Sequence, residues 1–115
     1  MSNTYLTPRS LGIETLGVIT NIIPENSPAP ICEHSYLSQH GVVIKIIEGN
    51  SASPSNVLET FTLGVDSSVP VQVSFDLRVN GVKTKWDGVL SVSVTCYKDI
   101  GRTITYKKTI RCFIM

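Results

Sequence analysis

From Val69 to Val79 every odd position is apolar: Val69, Val71, Val73, Phe75, Leu77 and Val79, with Pro70, Gln72, Ser74, Asp76 and Arg78 between them. Side chains alternate across a β-strand, so this run reads as a strand with one dry face and one wet face. Asn80-Gly81 follows at once, the dipeptide best suited to a two-residue type I′ turn. Such a turn sets Val79 opposite Val82, Leu77 opposite Thr84, Phe75 opposite Trp86, Val73 opposite Gly88 and Val71 opposite Leu90. The even positions that follow, from Val82 through Trp86, Leu90, Val92 and Val94 to Cys96, continue the dry face. A turn at Asp87-Gly88 would put Val82 opposite Ser93 and Thr84 opposite Ser91, mixing the faces, and is rejected. Gly88 then reads as a bend or bulge inside the strand.

A second turn falls at Asp99-Ile100-Gly101, a three-residue loop with glycine in the left-handed position. It pairs Cys96 with Ile104, Val94 with Tyr106, Val92 with Lys108 and Leu90 with Ile110. Both turns serve one apolar sheet face, and such agreement between local and global pattern marks a foldable sequence. The expected core is Val71, Val73, Phe75, Leu90, Val92, Val94, Ile104 and Ile110.

Upstream, residues 1–10 read as a flexible arm and residues 11–115 as a single domain. Leu11 to Ile23 reads as one strand, with Gly12 and Gly17 as irregularities. Pro24, Pro28 and Pro30 mark a loop. Residues 31–41 read ambiguously, with a short turn of helix as the expectation. Val42 to Glu48 is apolar on both sides and reads as a central strand. Residues 49–56 form an exposed loop, and Val57 to Val65 is another strand. About six to seven strands with almost no helix predict an all-β fold, an antiparallel β-sandwich, with a partly closed β-barrel as the alternative.

The N-terminus lacks a basic start followed by an apolar core, no apolar run is long enough to span a bilayer, and no Asn-x-Ser/Thr sequon occurs. The three cysteines, Cys32, Cys96 and Cys112, are an odd number, and two of them fall on the dry face. Reduced thiols and a cytoplasmic or intracellular location follow as expectations, with a virion or spore exterior also compatible.

Catalytic patterns are scarce. Cys32, His34 and His40 form a C-x-H-x5-H cluster that matches no standard zinc spacing, so it is a weak metal candidate. The glycines are scattered and form no phosphate loop. No enzyme activity, no cofactor and no small-molecule substrate are expected.

Charge is distributed unevenly. Residues 1–80 carry three basic and seven acidic side chains, a net −4, whereas residues 81–115 carry seven basic and two acidic, a net +5. Arg78, Lys83, Lys85, Lys107 and Arg111 share the wet face, either as a solvated surface with pairs such as Asp76 with Lys85 or as a basic binding face. Lys108 falls on the dry face, where it would snorkel to the rim or pair with Glu14, Glu48 or Glu59. Phe113 and Met115 point to the wet side of a long C-terminal edge strand, a position suited to self-association.

These features predict a non-enzymatic, self-assembling structural protein: a coat, matrix or filament subunit, including one of viral origin, whose partners are other copies of itself. The alternative is a monomeric module using the basic face for nucleic acid, an anionic membrane or an acidic protein.

Overall fold

The computed structural model describes residues 5–65, 67–79, 88–99 and 102–112. The strands are β1 (Tyr5–Leu6), β2 (Leu11–Thr15), β3 (Val18–Ile23), β4 (Pro28–Ala29), β5 (Ile31–Leu37), β6 (Val43–Glu48), β7 (Val57–Thr62), β8 (Val71–Val79), β9 (Gly88–Asp99) and β10 (Arg102–Cys112). Two antiparallel four-stranded sheets, β10-β9-β8-β5 and β3-β2-β6-β7, face each other, and β1 pairs with β4. The fold is an all-β sandwich and is not closed into a barrel.

The dry face read from the sequence is the inner face of the first sheet. Val71, Val73, Phe75, Leu77, Leu90, Val92, Val94 and Cys96 are all buried, and they meet Leu11, Ile13, Ile23, Ile44, Ile46, Phe61 and Leu63 from the second. The β9–β10 register is the expected one: Cys96 opposite Ile104, Val94 opposite Tyr106, Val92 opposite Lys108 and Leu90 opposite Ile110. Ile104 departs from expectation, being 37% exposed. It lies on the edge strand β10, which meets the facing sheet at β7.

The β8–β9 register differs from the one that Asn80-Gly81 implies. Val79 faces Gly88, Leu77 faces Leu90, and Phe75 faces Val92 rather than Trp86. Each partner is displaced by six positions, an even number, so every side chain keeps its face while its neighbours change. Gly88 opens β9 instead of bending it. Lys83, Lys85 and Trp86 lie outside the described residues, as do Phe113 and Met115.

The stretch Leu11 to Ile23 is a hairpin rather than one strand. Leu16 and Gly17 both have positive φ, 55° and 74°, and the chain reverses there. Gly12 marks a bulge, where an added Cβ would collide with the Thr20 carbonyl. Residues 31–37 are an edge strand paired with β8, not a helical turn. As expected, β6 is central, lying between β2 and β7. A register shift between Ile46 and Ile47 lets both side chains be buried.

The N-terminal segment, expected as an arm over residues 1–10, is described from Tyr5, where Tyr5 and Leu6 pair with Ala29 and Pro28. Thr7 is buried, its hydroxyl donating to Pro24 O at 2.9 Å. Lys108 reaches across to the second sheet, its Nζ 3.5 Å from Glu59 Oε1, with both side chains partly exposed.

Candidate functional site

Two surfaces hold the residues with chemical potential. The first is the outer face of the β10-β9-β8-β5 sheet, where Cys32, Glu33, His34, Ser74, Asp76 and Lys107 border a shallow groove of about 340 Å³. The Cys32 thiol donates to Asp76 Oδ1 at 3.2 Å, and Arg78 Nε donates to both Asp76 oxygens at 3.2 and 3.3 Å. The hydrogen bond to Asp76 holds the Cys32 thiol above its ordinary pKa. Arg78 first, then Cys32, hold the Asp76 carboxyl below the usual carboxylate range. A thiol kept protonated beside a carboxylate is the reverse of an activated nucleophile.

His34 makes an edge-to-face contact with Tyr36, with ring centroids 5.7 Å apart. His40 is fully buried, with Nδ1 2.8 Å from Gly41 O and Nε2 2.6 Å from Val69 O. Cys32, His34 and His40 are therefore not brought together. No group of three or more His, Cys, Asp or Glu among the described residues could hold a metal ion.

Of the five basic residues expected to share the wet face, Arg78 and Lys107 are on the outer surface and exposed. Arg78 is neutralised by Asp76. Arg111 occupies the register position opposite Val89. Lys83 and Lys85 lie outside the described residues.

The second surface lies at the end of the sandwich where β2 turns into β3 and β5 passes to β6. Leu16 is 63% exposed, Val18 60%, Val42 49% and Val43 40%. Thr15 draws these connections together: its Oγ1 accepts from the Gly41 amide at 2.7 Å and donates to Val43 O at 3.1 Å. A Cβ at Gly41 would sit 3.4 Å from Leu16 Cδ2. Beside this apolar group is a hollow of about 460 Å³ lined by Leu16, Ser38, Gln39, His40, Ser67 and Ser68. None of these lining side chains is acidic or basic apart from the imidazole. The nearby Glu14 is engaged, its Oε1 accepting from the Gly17 amide at 2.8 Å.

Leu16 is misplaced twice over by ordinary folding criteria. It exposes a large apolar side chain, and it adopts a left-handed backbone that favours Asn or Gly. Backbone strain and exposed apolar surface at one spot make this end of the sandwich a candidate interaction site. The signal was present in the sequence as Leu16-Gly17-Val18, apolar residues around a glycine where a polar turn would be ordinary.

The chain is 38% identical over 92 residues, 69% of its length, to Chaperone protein DnaK of Mycoplasmopsis pulmonis. It is 38% identical over 88 residues, 65% of its length, to Heat shock cognate 70 kDa protein 3 of Dictyostelium discoideum. It is 33% identical over 118 aligned residues, 91% of its length, to Chaperone protein dnaK1 of Prochlorococcus marinus subsp. pastoris. The chain spans about 14 to 16% of these relatives. No family model matches it.

These relatives overturn the expectation of a self-assembling coat, matrix or filament subunit, and of a viral structural protein. Alternating strands and an open edge suit any sandwich, and they carried that reading without a specific signal. The relatives' names likewise give no support to nucleic acid or a membrane surface as partner. No helix among the described residues is long and apolar enough to cross a membrane.

Proposed function

We propose that this β-sandwich is a polypeptide-binding module of chaperone type, holding extended apolar segments of non-native proteins at the Leu16–Val42 end. Non-native chains expose apolar side chains that native ones bury, and a receptor for them needs an apolar surface of its own. The observation that carries this reading is the exposed, strained Leu16 beside Val18, Val42 and Val43, in a chain similar to proteins named as chaperones. The uncharged lining of the adjoining hollow suits an uncharged ligand, because a buried unpaired charge there would cost heavily. The partner is protein, the location is intracellular, and no catalytic step is assigned to this chain.

Fluorescence anisotropy with a labelled, unstructured peptide of leucines and valines tests the reading. The protein should bind it and ignore a peptide of the same length made of serine and glycine. Leu16→Ser with Val42→Ser should weaken binding by about tenfold or more, the worth of one buried aliphatic side chain. Undiminished binding by that variant, or no binding by the parent, would refute the proposal.

A further inference from the structure

Just past the end of β7, two consecutive amides take partners from different parts of the fold. Leu63 N donates to Val42 O at 2.7 Å, and Gly64 N donates to the Tyr106 hydroxyl oxygen at 2.7 Å. Both are good hydrogen-bond distances, and a phenol oxygen can accept as well as donate. Tyr106 belongs to β10 in the other sheet, where it stands opposite the buried Val94 and packs half-buried against the core. Its side chain therefore reaches from one layer to the other, on the side of the sandwich where β10 meets β7.

Gly64 opens the connection from β7 to β8, and Ser67 and Ser68 of that connection line the hollow. Val42, which receives the neighbouring amide, is one of the exposed apolar side chains at the same end. The phenol thus fixes the point where the connection leaves β7, between Val42 on one side and the hollow's wall on the other. The fit is close: a Cβ at Gly64 would lie 3.2 Å from the Tyr106 oxygen, tighter than ordinary van der Waals contact. A second bridge crosses the same side of the sandwich, from Lys108 Nζ to Glu59 Oε1 at 3.5 Å. It joins β10 to β7 themselves and holds no residue of the connection.

We propose that Tyr106 is a positioning residue of the apolar site: its hydroxyl tethers the start of the β7–β8 connection to the opposite sheet and so holds Val42 and the Ser67–Ser68 wall in place. The effect on ligands rests on the chaperone-type reading above; the tether itself does not. Without the hydroxyl, the Gly64 amide turns to water and the connection loses its tie to β10. The connection then opens more often, and a bound segment leaves sooner while its rate of entry is unchanged.

Hydrogen–deuterium exchange on the free protein tests the tether, and stopped-flow dissociation of the labelled leucine–valine peptide tests its effect on the site. Tyr106→Phe keeps the ring and removes the hydroxyl. Exchange over residues 63–69 should quicken by about two- to tenfold, the span of a neutral hydrogen bond, with β8 and β9 unaltered. Peptide dissociation should quicken by a similar factor at an unchanged association rate. Gly64→Ala, which crowds the phenol from the other side, should do the same. Lys108→Met cuts the second bridge across that side, and Tyr97→Phe removes a phenol hydroxyl that bonds Gln72 on the outer face; both should keep the parental values. Circular dichroism checks that each variant is folded. Parental exchange in Tyr106→Phe, faster exchange spread evenly over all strands, faster exchange with unchanged dissociation, or the same response from Lys108→Met overturns the proposal. A parent that binds no apolar peptide ends the chaperone reading, while exchange over residues 63–69 still decides the tether.

Discussion

Thr15 Oγ1 stands between the Gly41 amide and the Val43 carbonyl, accepting from one at 2.7 Å and donating to the other at 3.1 Å. A single buried hydroxyl thus fastens the β5–β6 connection to the end of β2. Thr15→Val keeps the shape and removes both bonds. It should lower stability by about 1–3 kcal/mol, because the amide and carbonyl lose a partner. Urea denaturation measures this, and a loss within error would mean that water replaces the hydroxyl.

Leu16→Asn should separate stability from binding. Asparagine tolerates the left-handed conformation that Leu16 holds at φ 55°, and the leucine side chain contributes little core. Stability should rise by about 0.5–1 kcal/mol while affinity for an apolar peptide falls. A variant that is less stable and binds equally well would show that Leu16 serves the fold.

Phe75 is 1% exposed and faces Val92 across the β8–β9 ladder. Phe75→Ala should cost about 3–5 kcal/mol, a large part of the stability of an ordinary small domain. Calorimetry should show a matching drop in melting temperature. A cost below about 1 kcal/mol would contradict the packing of that inner face.

Cys32 should react slowly with iodoacetamide near neutral pH, because Asp76 keeps the proton on sulfur. Asp76→Asn removes the carboxylate, so the thiol should ionise more readily and its rate-versus-pH profile should move to lower pH. Mass spectrometry of the alkylated peptide follows this site alone. An unchanged profile would show that the Cys32–Asp76 hydrogen bond has no hold on the thiol.

The β9–β10 register was legible because a three-residue turn and strict alternation together leave one solution. At Asn80-Gly81 the same reasoning failed: Val79 opposite Val82 and Val79 opposite Gly88 differ by an even step, so facial pattern cannot separate them. The strand β5 was hidden because an edge strand with Cys32, Glu33 and His34 exposed in succession has no clean dry face. The β2–β3 turn was hidden because Leu16 is not a turn residue, although it holds a positive φ of 55°. His40 entered the sequence reading only as part of a weak metal candidate with Cys32 and His34, whose spacing matches no standard zinc site. Only the arrangement of the crossings shows that its partners are two carbonyls far apart in sequence.

The hollow is bordered by two of the connections that carry the chain from one sheet to the other. A ligand seated there would touch both layers at once and resist their sliding past each other. Occupancy and mechanical strength would then rise together, by mass action, since the ligand has no such seat on the unfolded chain. The melting temperature of this module would read out, in effect, how much of such a ligand surrounds it.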